Sequence, residues 1–262
     1  MTTILDQIIE KKKQEVILLR EKQVPFQRGA NQKKSFIEIL QKAGEISVIA
    51  EFKRASPSKG MINNAFHPAK QAVLYEKNGA AAISVLTDET FFKGSFTDLN
   101  AVREAVDLPI LCKDFIIDPV QIHHAFAHGA DLILLIAAAL EESQIKELYE
   151  YAKDLGLEVL VEIHNEIELE VALKVGAKLI GVNNRDLRTF QVSLDVTEIL
   201  APKVKESGAF LISESGIFEQ ADVARVRNAG ANGILVGEAF MRSENLQQVF
   251  NDFRLPLLEE RK

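Results

Sequence analysis

The chain has 262 residues with one cysteine and no tryptophan, and its 38 acidic and 31 basic side chains give a net charge of −7. A composition of 47% hydrophobic and 26% charged residues is that of a globular protein, not of a disordered or fibrous one. The single cysteine excludes an internal disulfide framework, and an acidic chain without a large basic block is a poor candidate for binding nucleic acid.

The first 45 residues predict two helices before the main domain. Thr3–Asp6 has the form of a helix-opening capping box, and apolar residues then keep helical spacing around a charged gap at Lys11–Glu15. A second, short helix is expected near Ser35–Gln41. The pattern leaves open whether this segment covers the floor of the following domain or forms a wall at its active mouth. No signal peptide is evident around Lys11–Lys13, so a cytoplasmic protein is expected.

Short aliphatic runs alternate with amphipathic segments after residue 45, and the runs begin about 20 to 35 residues apart, the length of a strand with a crossover helix. Runs of this kind are typical of parallel strands that are buried on both faces. The longest apolar stretch, Leu132–Leu140, is shorter than the roughly 20 residues that a membrane span needs. The eight predicted strands are Ser47–Phe52, Ala81–Leu86, Pro109–Cys112, Leu132–Ile136, Glu158–Ile163, Leu179–Val182, Phe210–Ile212 and Gly233–Val236.

Five Gly-Ala pairs, such as Gly129-Ala130 and Gly230-Ala231, stand between a helical segment and the next strand. Glycine at that place supplies the left-handed cap that ends a helix. Eight β/α units without an internal linker favour a single closed (β/α)8 TIM barrel over a doubly wound sheet. We therefore expect an α/β chain in which residues 1–262 form one barrel domain and residues 1–45 form an N-terminal helical extension over the barrel.

Charged and amide side chains stand at the carboxyl ends of the predicted strands, where the active site of such a barrel lies. Glu51 and Lys53 are two residues apart and should both point inward. Opposite charges inside an aliphatic barrel cost free energy unless they are paired or used. A structural ion pair is the alternative, but the later strands end in the same way, with Lys113, Glu162, Asn183 and Arg185.

The last two strands are followed by small residues that suit a phosphate group. Loops after the seventh and eighth strands of these barrels often present backbone N–H groups to phosphate. Ser215, Gly216 and Gly237 allow the close backbone approach that this requires. Glu238 must then turn its carboxylate away and offer only its N–H.

The remaining candidate ligands and nucleophiles carry less information. His123-His124 falls in a crossover helix away from the mouth and is expected on the surface. His164 is interpreted as a loop residue, with a role in the site as the alternative, since histidine is a common acid or base. Cys112 should be a small buried apolar residue. No His, Asp and Glu set has the spacing of metal ligands, and no Gly-x-Gly-x-x-Gly motif opens a helix. The sequence therefore predicts neither a metal nor a nucleotide cofactor.

Taken together, the strand endings resemble those of the indole-3-glycerol-phosphate synthase family. The resemblance runs from the N-terminal helix to the last barrel helix, and its most specific motifs are EFKRASPSKG and NNRDLRTF. The motifs that carry the resemblance lie at 51–60 (EFKRASPSKG), 111–119 (LCKDFIIDP), 161–164 (VEIH), 181–190 (GVNNRDLRTF), 213–217 (SESGI) and 235–241 (LVGEAFM).

The resemblance implies a lyase of tryptophan biosynthesis, which converts 1-(2-carboxyphenylamino)-1-deoxyribulose 5-phosphate into indole-3-glycerol phosphate, carbon dioxide and water. Lys113 matches the family's general acid, which protonates the alkoxide formed as the ring closes. Glu162 with Glu51 and Lys53 matches the set that removes water. Asn183 and Ser215 would orient the catalytic groups and the sugar hydroxyls.

The resemblance also implies how the substrate is held and where the extension lies. It places the extension over the active mouth and implies a phosphorylated small-molecule substrate, with no nucleic acid, membrane or cofactor; we expect a monomer. Arg185 and Ser56 would lie near the ring carboxylate or the polar chain. The apolar slot around the aromatic ring would be formed by Phe92, Phe115, Leu134, Leu187 and Leu235, and the phosphate would be bound by Ser215, Gly216, Gly237 and Glu238.

Two other functions fit the same fold. A phosphoribosyl isomerase would use paired acid and base groups at the first and fifth strands, and it would leave Lys113 without a role. A non-catalytic phosphate-binding barrel would need only the Ser215 and Gly237 side of the mouth. The inward charges of Glu51, Lys53 and Glu162 argue against that, since unused buried charges are costly.

Overall fold

Eight parallel strands close into a barrel in the computed structural model, which describes residues 3–22, 33–56, 60–61 and 67–258. The barrel strands are β1 (Ser47–Phe52), β4 (Ala82–Leu86), β5 (Ile110–Lys113), β6 (Leu132–Ile136), β7 (Glu158–Ile163), β8 (Leu179–Asn183), β9 (Phe210–Glu214) and β10 (Gly233–Val236). A two-residue hairpin, β2 (Ala55–Ser56) with β3 (Gly60–Met61), follows β1. β1 closes the ring by pairing with both β4 and β10, which confirms the predicted (β/α)8 barrel.

The barrel strands coincide with the predicted apolar runs to within one or two residues at each end. Three strands extend beyond the carboxyl ends of their apolar runs and end on polar residues, at Lys113, Asn183 and Glu214. The parallel pairing continues there, with Leu86 opposite Lys113 and Asn183 opposite Glu214. These polar side chains are therefore carried by the sheet and not by loops.

Helices pack around the outside of the barrel through their apolar faces. Glycines follow two of them in the left-handed conformation, Gly129 with φ 90° and Gly230 with φ 117°, as the Gly-Ala pairs predict. No helix of the described residues is long and apolar enough to cross a membrane. The outer helices are α3 (Pro68–Lys77), α4 (Phe96–Ala105), α5 (Pro119–Ala127), α6 (Glu142–Asp154), α7 (Glu166–Lys174), α8 (Asp195–Glu206), α9 (Gln220–Ala229), α10 (Glu238–Arg242) and α11 (Leu246–Phe253), and a 3-10 turn (Ala137–Ala139) precedes α6.

The barrel interior is filled by one set of alternating strand residues, which includes Ile49, Leu111, Leu160 and Ile212. The other set, which includes Cys112, packs outward against the helices. Because side chains alternate along a strand, the residue two positions after each interior residue also points into the barrel. This rule carries Glu51, Lys113, Glu162 and Glu214 to the carboxyl end of the interior, where all four border one cavity.

The N-terminal segment contributes one helix to each end of the barrel. Helix α2 (Phe36–Lys42) closes the floor, since Phe36 and Leu40 are buried among the interior residues. Glu158, the first residue of β7, accepts the N–H groups of Phe36 (3.0 Å) and Ile37 (3.2 Å) and thereby satisfies the free end of this helix.

Helix α1 (Ile4–Glu21) lies at the opposite end, over the mouth. Thr3 and Asp6 form the predicted capping box at its start. Ile4, Leu5 and Ile8 face the cavity at the carboxyl ends of the strands. The two alternatives that the sequence left open therefore both occur, because the two helices occupy opposite ends.

The expectation that His124 lies on the surface is wrong. Its side chain is 2% exposed, and its ring stands 5.7 Å from that of Phe96 and 6.0 Å from that of His128. Helix α1 packs against α5, which carries this histidine, and covers it. The periodicity of α5 could not predict this burial, because the covering helix comes from a distant part of the sequence.

Candidate active site

A cavity of about 190 Å³ opens at the carboxyl ends of the strands, between α1 and the strand-end loops. Side chains predicted from the strand endings surround it. The Ser56 side chain lies outside the described residues. The other sequence-predicted residues all line the cavity: Glu51, Lys53, Phe92, Lys113, Phe115, Leu134, Glu162, Asn183, Arg185, Leu187, Ser215, Gly216, Leu235, Gly237 and Glu238.

Lys113 stands at the centre of the charged half of this cavity. Its Nζ lies 2.6 Å from Glu214 Oε2, 3.7 Å from Glu51 Oε2 and 3.9 Å from Glu162 Oε2. Lys53 approaches from the end of β1, and its Nζ donates to Glu51 Oε1 at 2.7 Å. Two lysines and three glutamates thus share one small space, which brings groups that can donate and accept protons close to one another.

Burial and pairing hold these groups in defined charge states. Burial alone lowers the pKa of Lys113, but the carboxylates of Glu214 and Glu51 outweigh it and raise the pKa above its ordinary value. Burial raises the pKa of Glu51, and the charges of Lys53 and Lys113 outweigh this and lower it. Lys113 is therefore an ammonium and Glu51 a carboxylate at neutral pH, so that one can donate a proton and the other can accept one.

Glu214 differs from its neighbours. Burial raises its pKa to about 7 although Lys113 opposes the shift, and the nearby charge of Glu162 adds to the increase. Its Oε1 has no hydrogen-bond partner among the described residues. A Cβ at Gly181 would lie 2.2 Å from that oxygen, so the glycine leaves the room that the carboxyl group occupies. Glu214 can therefore carry a proton near neutral pH.

Sequence reasoning did not select Glu214 as a site residue, although a usable signal was present. It stands two positions after Ile212, which fills the barrel interior. The same alternation that selected Glu162 after Leu160 would have turned Glu214 inward.

His164 is not an ordinary loop residue, because it lies between two carboxylates. Its Nε2 is 3.3 Å from Glu162 Oε1 and its Nδ1 is 3.0 Å from Glu168 Oε2. Burial alone lowers the pKa of His164, but these carboxylates outweigh it and raise the pKa to about 10. Burial likewise raises the pKa of Glu162, whereas His164 and Lys113 lower it to about 2. The Asn183 amide donates to the same Glu162 oxygen at 2.9 Å.

The other half of the cavity is apolar. The rings of Phe92 and Phe115 stand 5.9 Å apart and tilted, and Leu134, Leu187 and Leu235 line the same cavity. Helix α1 completes this wall with residues that the sequence analysis did not select: Ile4, Leu5 and Ile8.

The loop after β9 is held in an unusual conformation. Ser215 has φ 65° and Gly216 has φ 83°, both in the left-handed region that favours glycine. Asn184 fixes this loop, since its Nδ2 lies 2.9 Å from Ser213 Oγ, 3.0 Å from the Glu214 carbonyl oxygen and 3.1 Å from that of Ser215. Strain of this kind often accompanies a functional site.

The loop after β10 brings its backbone close to Glu51. A Cβ at Gly237 would lie 3.0 Å from Glu51 Oε1. A larger residue at this position would therefore displace the Glu51 carboxylate or the backbone of the loop. The Glu238 carboxylate is paired along α10 with Arg242, at 3.1 Å. The Arg242 guanidinium partly neutralises the Glu238 carboxylate, which lessens the repulsion between this carboxylate and an anion at the mouth. Among the described residues, no group of three or more His, Cys, Asp or Glu could hold a metal ion.

Comparison with known proteins gives one consistent result. The family model of indole-3-glycerol phosphate synthase matches residues 5–253. Similar proteins named indole-3-glycerol phosphate synthase occur in Bacillus cereus (strain ATCC 10987 / NRS 248), 51% identical over 97% of this chain and 99% of the relative, and in Bacillus thuringiensis subsp. konkukian (strain 97-27), 49% identical with the same coverage. With the barrel and its charged mouth, this shows that the chain belongs to the indole-3-glycerol phosphate synthase family.

Proposed function

We propose that the described cavity is where this chain converts 1-(2-carboxyphenylamino)-1-deoxyribulose 5-phosphate into indole-3-glycerol phosphate, carbon dioxide and water. The chain is a lyase of tryptophan biosynthesis. The observation that carries the site assignment is Lys113, an ammonium 2.6 Å from Glu214 in the charged half of a cavity whose other half is apolar. Family membership and this central lysine disfavour the isomerase and the non-catalytic barrel.

Ring closure joins the aromatic carbon that bears the carboxylate to the ketone carbon of the sugar chain. Lys113 donates a proton to the ketone oxygen as the bond forms, which prevents an alkoxide from accumulating. The anilino nitrogen supplies electron density to the ring, and loss of carbon dioxide then restores its aromaticity. The Phe92 and Phe115 rings hold the anthranilate part of the substrate in place.

The second stage removes the new hydroxyl group as water and a proton from the adjacent carbon. Lys53 and Glu51 form an acid and base pair for this step, with their side-chain atoms 2.7 Å apart. Glu162, kept ionised by His164, serves as a further base. Asn183 orients Glu162, and Ser215 meets the sugar hydroxyls.

The phosphate binds at the loops after β9 and β10, chiefly through backbone N–H groups of Ser215, Gly216, Gly237 and Glu238. Arg185 and Ser56 serve the ring carboxylate or the polar chain of the substrate. Arg185 is placed for this by Asn183, whose Oδ1 accepts the Arg185 backbone N–H at 3.0 Å.

We propose that residues 1–262 act as one domain, with residues 1–45 as its extension, and as a cytoplasmic monomer. The cavity supports the monomer, because α1 of the same chain supplies its wall. The one cysteine, Cys112, is buried and free, which fits a reducing compartment. Light scattering should give the mass of a single chain; a dimer would contradict this part of the proposal.

The activity is tested by adding the carboxyphenylamino substrate and following indole fluorescence, against a chain that contains no tryptophan. Lys113→Met should lower kcat at least 100-fold, the effect of removing a general acid, yet still bind the alcohol made by reducing the substrate's ketone. Lys153→Met, at a half-exposed lysine on α6, is the control and should leave kcat unchanged. Near-normal turnover in Lys113→Met would overturn the role given to Lys113.

A further inference from the structure

A buried lysine joins helix α1 to the mouth of the barrel. Lys12 is only 2% exposed. Its Nζ lies 2.7 Å from Asp114 Oδ1, 2.8 Å from Asp88 Oδ2 and 2.8 Å from Glu15 Oε2. We call these four residues the Lys12 cluster. None of them belongs to the set of residues assigned to the reaction above.

One side of the Lys12 cluster fixes the aromatic wall. Asp88 Oδ1 accepts the backbone N–H groups of Phe91 at 2.6 Å and of Phe92 at 3.0 Å. Glu15 Oε1 accepts the hydroxyl of Thr90 in the same loop at 3.1 Å. The loop that carries the Phe92 ring is therefore tied to α1 through Asp88 and Glu15.

The other side of the cluster fixes the strand end that carries Lys113. Asp114 follows Lys113 directly and is itself buried. One of its carboxylate oxygens meets Lys12, and the other accepts the hydroxyl of Thr87 at 2.7 Å. Both oxygens are thus held, which leaves the peptide between Lys113 and Asp114 little freedom to turn.

The cluster is ionic and largely buried, and it is therefore costly to break. Burial lowers the pKa of Lys12, but the charges of Asp114 and Asp88 outweigh it and raise the pKa above its ordinary value. Breaking such a pair leaves buried carboxylates without a counter-charge, which is more costly than losing a surface pair. The neighbouring Lys13 pairs with Glu10 on the same helix, and both side chains are exposed.

We propose that Lys12 is a positioning residue for the reaction: it locks α1 over the mouth and, through Asp88 and Asp114, sets Phe92 and Lys113 relative to each other. The aromatic ring of the substrate and the proton donor are thereby held in one geometry. Lys12 itself acts only through these residues. The inference rests on the proposed function, because it concerns placement of the groups that this reaction uses.

The test compares Lys12→Met with Lys13→Met in the full chain. Lys12→Met should lower kcat/KM at least tenfold per folded molecule, while Lys13→Met should match the parent protein. Hydrogen exchange should become faster in residues 4–21 of Lys12→Met and stay unchanged in Lys13→Met. Lys12→Arg, which keeps the charge, should recover part of the lost activity.

Two outcomes overturn the proposal. One is a Lys12→Met protein whose kcat and KM both remain within twofold of the parent. The other is a loss of activity no greater than the unfolded fraction of the sample, which would make Lys12 a structural residue only. If Lys12→Met does not fold, Asp114→Asn takes its place, because this variant keeps Lys12 between Asp88 and Glu15. Asp114→Asn should lower kcat by a larger factor than it raises KM. An unchanged kcat in Asp114→Asn overturns the proposal.

Failure of the proposed function would look different. In that case the parent protein itself would neither form indole-3-glycerol phosphate nor bind the alcohol made by reducing the substrate's ketone. A parent protein that binds and turns over, together with an unaffected Lys12→Met variant, rejects the role of Lys12 alone.

Discussion

Glu162 and Glu214 are both buried at the barrel mouth, but their surroundings shift their pKa values in opposite directions. His164 and Asn183 contact Glu162 in addition to the charge of Lys113, whereas Glu214 contacts Lys113 and has one oxygen without a partner among the described residues. One carboxyl group consequently has a pKa of about 2 and the other of about 7. Environments that separate two carboxyl groups in this way provide a base and an acid in one site.

The raised pKa of Glu214 predicts a pH-dependent gain in stability for Glu214→Gln. The folded group has a pKa of about 7 against an ordinary value of 4.5, so between these values the folded state binds more protons than the unfolded state. The stabilising contribution of this group in the parent protein is therefore lost as pH rises from about 4.5 to 7, whereas the amide has no proton to lose. The unfolding free energy of the variant relative to the parent should rise by about 2 to 3 kcal/mol between pH 5 and pH 8.

Urea unfolding at the two pH values measures this difference, because the other titrating groups are common to both proteins. Glu244→Gln, at an exposed carboxylate, is the control and should show no such change. A stability difference between Glu214→Gln and the parent that stays nearly constant from pH 5 to pH 8 would show that Glu214 is ionised throughout, and its proton-carrying role would be wrong.

Helix α1 combines a local folding signal with a functional surface. Its first turn is held by the capping box, in which Thr3 Oγ1 accepts the Asp6 N–H at 3.1 Å and Asp6 Oδ2 accepts the Thr3 N–H at 2.7 Å. Ile4 and Leu5 of this same turn face the cavity. A small change in the stability of the turn should therefore be felt in substrate binding.

Thr3→Ala should raise KM by up to about fivefold and leave kcat nearly unchanged. Loss of such a cap costs about 1 kcal/mol, and a frayed first turn no longer presents Ile4 and Leu5 to the aromatic ring. Steady-state kinetics with the carboxyphenylamino substrate separate the two constants.

A matched control is available at the other end of the chain. Asn245 caps α11 by accepting the Gln248 N–H at 3.2 Å, and α11 contributes no residue to the cavity lining. Asn245→Ala should lower stability by a similar amount without changing KM. Equal KM values for Thr3→Ala and the parent protein would mean that the first turn of α1 does not contact substrate.

At the scale of the whole molecule, strand alternation accounts for most of what the sequence could predict. Buried aliphatic runs predict the eight strands, and the two-residue period of a strand then predicts that Glu51, Lys113 and Glu162 point into the same end of the barrel. These predictions succeed because they need only local periodicity and the closure of the barrel. The chemical roles came from the family resemblance, since periodicity cannot assign a reaction.

What the sequence did not reveal depends on contacts between distant segments. In the sequence, Lys12 is one of three consecutive lysines within the charged stretch Lys11–Glu15. It becomes buried because α1 packs against Asp88 and Asp114. His164 falls just beyond β7, where alternation no longer fixes direction, so its place between Glu162 and Glu168 could not be inferred. Packing between distant segments determines the burial and the partners of such residues, and a single sequence gives little indication of that packing.

The two ends of the barrel should separate stability from function. Phe36 of α2 is fully buried among the interior residues at the floor, at the opposite end from the cavity. Phe36→Ala should lower the unfolding free energy by about 3 to 5 kcal/mol, because it leaves a cavity in the core. At 25 °C, where the protein remains folded, kcat/KM should stay within about twofold of the parent, since no mouth residue moves. Urea unfolding and steady-state kinetics on the same sample test both parts; a tenfold loss of kcat/KM in the folded protein would show that the floor and the mouth are coupled.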